Sequence, residues 1–268
     1  MSLPRREALI RCARDHDALI IADDVYDQLQ WSATTTTSSP AAPITTAHLP
    51  RLVDIDATLD GGSLRPDSDH FGNAMSNGTF SKICGPGIRV GWAEGTPKFA
   101  YGVSQTGTSC SGGAPSQLTS TYVTELLTNG FLPEYIAKTL QPAYAKRYAT
   151  LVGAVERLLV RPMGVTLPQS DREIVGGYFI WLTLPGGLGC VEFAERCQEE
   201  ENLVVASGSL FEVPGDGRFG FDHSVRLCYS WEDEGKLVAG VERMARVLDR
   251  MLKGTEAAKK YRKQLHTK

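Results

Sequence analysis

Two groups of residues in this sequence have types and spacings that could do chemistry. The first is Asp23-Asp24-Val25-Tyr26. A carboxylate at the end of a strand, with a phenol three residues on, can hold a heteroaromatic ring. The carboxylate would pair with a protonated ring nitrogen and the phenol would hydrogen-bond a ring oxygen. The plainer alternative is that Asp23 or Asp24 caps the following turn and Tyr26 is half-buried. The second group is Thr79-Phe80-Ser81-Lys82, followed by Gly85-Pro86-Gly87-Ile88-Arg89-Val90-Gly91-Trp92. Here a lysine lies between small hydroxyl residues and a Gly-Pro-Gly loop, a backbone-rich setting. Desolvation and neighbouring cations lower a lysine's pKa, as a Schiff-base nucleophile requires. The hydroxyls of Thr79 and Ser81 and the Arg89 guanidinium are together suited to gripping a phosphate. For a lone lysine a surface position is the commoner fate; for the whole string the chemical reading is stronger.

Both groups need elements to position them. A helix can begin at Pro4, with Ala8, Leu9, Cys12 and Ala13 at helical spacing. The apolar run Ala18–Ala22 then reads as a buried parallel strand ending at Asp23-Asp24. That polarity places Asp23 where open α/β sheets take ligands, beyond the carboxyl ends of their strands. The Thr/Ser/Pro/Ala tract from Ser32 to Pro43 reads as a surface loop, and Leu52-Val53-Asp54-Ile55-Asp56 as a short strand. A second apolar strand is expected over Ile88–Ala93, after the Gly85-Pro86-Gly87 break. A long helical region follows from about Pro115 to Leu159, broken near Gly130–Pro133 and again near Pro142. Strands over Gly177–Leu184, Leu203–Ala206 and Val225–Tyr229, with helices over Val191–Glu200 and Glu232–Leu252, form a small α+β unit. The charged tail EAAKKYRKQLHTK is expected to fray.

Bulk properties exclude several classes. The chain has 268 residues, 42% hydrophobic and 22% charged, with net charge −3. That balance offers no attraction to nucleic acid or anionic lipid, and no apolar run reaches transmembrane length. The six cysteines contain no C-x-x-C pair, which favours reduced thiols in a cytoplasmic protein. His16, His48, His70, His223 and His266 neither cluster nor take metal spacing, so no metal site is expected.

Thr79-Phe80-Ser81-Lys82 with Gly87-Ile88-Arg89-Val90-Gly91-Trp92 resembles the S-x-S-K…G-x-R-x-G-W signature of fold-type I, class I/II aminotransferases, which use pyridoxal 5'-phosphate (PLP). Asp23–Tyr26 resembles that family's D-x-x-Y element, in the expected order. Closest in style is the branch of 2-aminoadipate, kynurenine and fungal aromatic aminotransferases. The resemblance implies an α/β fold: the C-terminal half of a PLP-dependent transferase large domain, with a mostly parallel sheet and flanking helices, plus a small α+β C-terminal domain. Residues 1–130 would be the large-domain part, with 33–50 a disordered segment or loop insertion, and 131–268 the small domain.

The resemblance also assigns roles. Lys82 is the catalytic lysine that carries PLP as a Schiff base. Asp23 pairs with the pyridine nitrogen and Tyr26 with the 3′ oxygen, while Thr79, Ser81 and Arg89 bind the phosphate. Arg226, in Ser224-Val225-Arg226-Leu227-Cys228-Tyr229-Ser230, matches the arginine that forks onto the substrate carboxylate. On residues alone, a strand arginine more often pairs with a surface acid. Gly176-Gly177-Tyr178-Phe179-Ile180-Trp181 is similar to the strand that opens the small domain, and its aromatics read as core. Amino acids and 2-oxo acids are the implied substrates, and the full-length family is homodimeric. The family's N-P-T-G segment, with the turn and ring-stacking aromatic that precede it, is expected to lie outside this chain. Transamination is the implied activity. The competing expectations are a non-catalytic remnant of such an enzyme, or other PLP chemistry, β-elimination or cyclopropane formation, on the same residues.

Overall fold

The computed structural model describes residues 1–33, 43–44, 48–66, 68–111, 116–168, 173–215, 218 and 220–254. The chain divides into two compact units, Met1–Trp31 with Ala42–Pro142, and Ser32–Ala41 with Ala143–Lys268. Most of the Thr/Ser/Pro tract, the expected helix start at Pro115 and the tail after Gly254 lie outside the described residues.

In chain order the elements begin with α1 (Leu3–Asp15), β1 (Ile20–Asp23), β2 (Gln30–Ser32), α2 (Leu52–Thr58), β3 (Ala74–Thr79), β4 (Gly91–Glu94), α3 (Pro97–Ser104), α4 (Gly107–Cys110), α5 (Gln117–Thr128) and α6 (Phe131–Tyr135). In the first unit β1 runs parallel to β3, with Ile20 opposite Ala74 and Asp23 opposite Asn77. β4 returns antiparallel to β3, Thr79 facing Gly91. Strand residues alternate between faces. One face packs Ala74 with Ile10 of α1 and Ile55 of α2, joined by Leu3, Ile20, Leu52 and Leu59.

That core rests on an ion pair. Arg14 Nη2 lies 2.9 Å from Asp56 Oδ1, with the two side chains 9% and 4% exposed. Asp56 Oδ2 also accepts from the backbone N–H groups of Asn73 and Ala74, at 2.6 and 3.1 Å. One carboxylate thus ties α1, α2 and the start of β3 together.

Three expectations need correction in this unit. Leu52–Asp56 is not a strand but the start of α2. Asp54, in the first turn, accepts from the Arg51 N–H at 2.8 Å and so satisfies a free donor at the helix start, and Leu52, Ile55 and Leu59 then share the core-facing side. β1 is parallel as expected but not buried, since Ile21 is 69% exposed. That sheet face is covered only in part, Met75 beside Ile21 being buried, whereas parallel strands are ordinarily covered on both sides. The strand expected over Ile88–Ala93 starts only at Gly91, because Pro86–Ile88 forms a helical turn and Arg89 is left-handed (φ 51°).

The helical stretch breaks at Gly130 (φ 77°) as expected. The second break, expected at Pro142, is a wide turn at Ile136–Leu140 that leads directly into α7 (Gln141–Val155). Such a turn accommodates a residue that has no N–H to donate. α8 (Arg161–Met163), β5 (Ile174–Gly176), β6 (Phe179–Thr183), α9 (Cys190–Glu201), β7 (Ala206–Ser207), β8 (Ser224–Cys228) and α10 (Glu234–Gly254) complete the chain.

The second unit is built on an antiparallel sheet in the order β6-β8-β7. Its inner face, Ile180, Leu182, Val225 and Leu227, is buried. α10 supplies a matching stripe, Leu237, Val241, Met244, Val247, Leu248 and Met251, at helical period. Glu201 at the end of α9 pairs with Arg246 and Arg250 of α10, at 2.7 and 2.8 Å. The strand expected over Leu203–Ala206 shrinks to Ala206-Ser207, because left-handed Asn202 ends α9 and Leu203 N–H turns back to the Cys197 carbonyl. No helix among the described residues is long and apolar enough to cross a membrane.

Candidate active site

The carboxyl ends of β1 and β3 carry the candidate residues of the first unit. Asp23 closes β1 and is exposed, and its Oδ1 accepts from Asn77 Nδ2 at 3.0 Å. Asp24 turns the other way, its Oδ2 accepting from the Ser76 hydroxyl at 2.6 Å. Neither aspartate caps the next turn through its side chain; the Asp27 N–H bonds the Asp24 backbone carbonyl instead. Tyr26 is half-buried, and Lys82 Nζ lies 5.9 Å from its ring centroid.

Lys82 ends a short helical turn, Phe80–Lys82, that β3 feeds directly. Thr79 starts that turn with its Oγ1, which accepts from the Ser81 N–H at 3.0 Å. The same hydroxyl lies 2.9 Å from Ser81 Oγ, so the two hydroxyls form one polar step beside the lysine. Gly78 permits a close approach: a Cβ there would sit 2.1 Å from the Trp92 ring. Trp92 in turn packs on Phe80, centroids 5.0 Å apart. Arg89 does not join the hydroxyls. It is exposed and donates to the Pro86 carbonyl at 3.1 Å.

Asn77 and Asp27 drew no attention in the sequence. Asn77 is reached only through the register that sets it beside Asp23. Asp27 lines a pocket of about 30 Å³ with Gly78 and Thr79, and its Oδ2 is 3.9 Å from Arg51 Nε. Burial, then the neighbouring Asp24 charge, push its carboxyl up to about 6 despite Arg51. Arg51 is already held by Asp54 and Glu94, at 2.8 and 2.7 Å.

A folded pKa raised above the unfolded value means that the protonated form stabilises the fold. That contribution is complete below pH 3.8 and is lost as the pH rises through about 6. Asp27→Asn mimics the protonated form and is expected to raise stability at pH 7.5 by about 1 kcal/mol, after discounting for partial solvent screening. Urea unfolding at pH 4 and pH 7.5 checks it, and a variant less stable than the wild type at pH 7.5 would refute the assignment.

Arg226, in the second unit, is on β8 opposite Trp181. Its guanidinium carbon lies 4.0 Å from the Phe179 ring centroid and 4.2 Å from that of Phe211. Among the described residues it makes no ion pair, so the surface-acid alternative for this arginine does not hold there. Phe179, expected in the core, is instead half-buried against the cation. Phe211 carried no sequence signal at all.

Comparison with known proteins bears on the family and the fold of the chain. The family model for aminotransferase class I and II matches residues 1–228. The chain is 36% identical over 242 residues to the uncharacterised protein YER152C of Saccharomyces cerevisiae, covering 90% of this chain and 51% of that protein. It is 26% identical over 259 residues to aromatic-amino-acid aminotransferase 1 of Thermococcus litoralis, covering 94% and 51%. Among solved structures, LysN, the α-aminoadipate aminotransferase of Thermus thermophilus complexed with N-(5'-phosphopyridoxyl)-L-leucine, superposes with a TM-score of 0.71 at 24% identity, over 95% of this chain and 56% of that one. At that identity the likeness speaks for the fold, that of fold-type I PLP aminotransferases. The chain spans about half the length of the relatives it matches. A match that takes in both strand ends, the lysine turn and Arg226 places this chain in the aminotransferase class I and II family.

Proposed function

We propose that this chain supplies the lysine-bearing part of a PLP-dependent transaminase that exchanges amino groups between α-amino acids and 2-oxo acids with aromatic, aminoadipate-like or other bulky side chains. The observation that carries this reading is the approach of Lys82 Nζ to the Tyr26 ring, 5.9 Å from its centroid, at the carboxyl ends of two parallel strands. The donor set fits the cofactor: an amine, a phenol, a strand-end carboxylate and two linked hydroxyls, with Arg89 on the same loop. Asp23 would hold the ring nitrogen, Tyr26 the ring oxygen, and Thr79, Ser81 and Arg89 the phosphate.

When bound, PLP supplies an electron sink. Lys82 Nζ would hold the cofactor and, once free of it, would take the substrate's α-proton and redeliver it. Asp23 keeps its partner nitrogen protonated through a charge-assisted hydrogen bond. Arg226 would fork onto the substrate carboxylate.

A second reading has its own support. The open face of the first unit's sheet, with Ile21 69% exposed and β4 exposed throughout, favours a chain that acts only in association with further polypeptide. Incubating the purified chain with PLP, reducing with borohydride and mapping the labelled peptide separates the two. Label on Lys82 is expected. Its absence from a folded chain would sink the first reading and leave the second.

A further inference from the structure

A guanidinium normally settles its charge on an acid or in bulk water. Arg226 pairs with no acid among the described residues and is only partly open to water, half-buried between two aromatic faces at about 4 Å. Those faces are themselves braced. Trp181 meets Phe211 edge-on at 5.6 Å and Phe221 at 5.3 Å, so the Phe211 ring is fixed from behind. An aromatic clamp holds the planar cation without using its N–H donors, which stay available for an incoming anion.

Arg226 also lines a cavity of about 370 Å³ within the second unit. That volume suits a small organic ligand, with apolar walls and few polar groups. Leu203, Val205, Leu237, Val241 and Met244 form much of the wall. The other charged lining residues, Glu232 and Lys236, neutralise each other at 3.0 Å. One cation is therefore left for the ligand, beside an apolar space.

We infer that Phe179 and Phe211 are positioning residues that hold Arg226 for one carboxylate, and that the adjoining cavity selects acids with a single carboxylate and a bulky apolar tail over dicarboxylates. This rests on the reading of Arg226 as the carboxylate site. It narrows the substrate class away from acids with a second charge. A dicarboxylate would bring its second charge among apolar walls with no free cation to meet it, which is unfavourable.

The test uses the full chain without PLP and two probes, 3-phenylpropionate and glutarate, titrated by calorimetry. Phenylpropionate is expected to bind and glutarate to bind more weakly. Arg226→Gln is expected to lose about tenfold or more in affinity for phenylpropionate. Phe211→Leu is expected to lose about two- to fivefold, the range of a cation–π contact, and Phe211→Tyr to retain wild-type affinity. The side-chain NMR resonances of Arg226 should lose their ring-current shift in Phe211→Leu and keep it in Phe211→Tyr, with circular dichroism reporting that each variant is folded.

Unchanged affinity in Phe211→Leu, alongside loss in Arg226→Gln, overturns the clamp and leaves the carboxylate reading standing. Glutarate binding as tightly as phenylpropionate overturns the substrate class. Wild-type affinity in Arg226→Gln, or no binding by the wild-type chain, overturns the carboxylate reading and the inference with it. Because no arm needs PLP, a negative result for cofactor attachment at Lys82 does not decide any of these outcomes.

Discussion

Replacing Asp56 with alanine is expected to destabilise the chain by about 3–5 kcal/mol, the range for breaking a buried ion pair from one side. Asp56 is 3% exposed and meets four donors through two oxygens: Arg14 Nε and Nη2 on Oδ1, and the Asn73 and Ala74 N–H groups on Oδ2. Alanine would orphan both N–H groups at the point where β3 begins, and leave Arg14 charged with 9% of its side chain exposed. Arg14 would retain only backbone carbonyls and a longer approach to Asp60, 3.8 Å. Asp56→Asn keeps an acceptor and should lose less. Urea unfolding with an unchanged m-value measures the difference, and a loss below about 1 kcal/mol would mean that the charge is solvated rather than buried. The consequence reaches function, because β3 leads straight into the Lys82 turn.

Lys82→Ala is the second substitution with a large expected effect, and of the opposite kind. Lys82 is only partly buried, so folding stability should change by no more than about 0.5 kcal/mol. Covalent retention of PLP should vanish. In chain supplied with whatever further polypeptide it requires, amino-group transfer should fall by about 10²–10⁴-fold, the usual contribution of a positioned acid–base group. Stopped-flow absorbance with an aromatic amino acid follows the transfer. Partial rescue by an added small amine would assign the loss to the missing Nζ rather than to altered packing. Transfer at the wild-type rate would remove Lys82 from its proposed role.

The chemistry-bearing strings were legible because their meaning is local. Lys82 follows Thr79 and Ser81 on one short turn, and the hydroxyl that starts that turn is coded three residues before the lysine. The α10 stripe was legible for the same reason, its period being written in consecutive residues. Leu52–Asp56 was misread because five residues of mixed polarity suit a strand or a helix equally. Asp54 settles it by accepting from the Arg51 N–H at the helix start, and the core of Ile10 and Ala74 rewards the helical face. The full burial expected of β1 failed because burial depends on what lies over a sheet, not on the strand's own apolarity.

Order along the chain was therefore enough to bring Asp23, Tyr26, Lys82 and Arg226 forward as candidates and to connect them with one family. Distance in sequence hid the rest. The Asp23–Asn77 contact spans 54 positions, the Asp27 carboxyl is raised by burial under the folded chain and by Asp24 against the opposing pull of Arg51 from a separate helix start, and the Arg226 clamp takes one ring from a neighbouring strand and another from a helical turn. Only the folded chain brings such partners within a few ångströms, where desolvation and charge act at full strength.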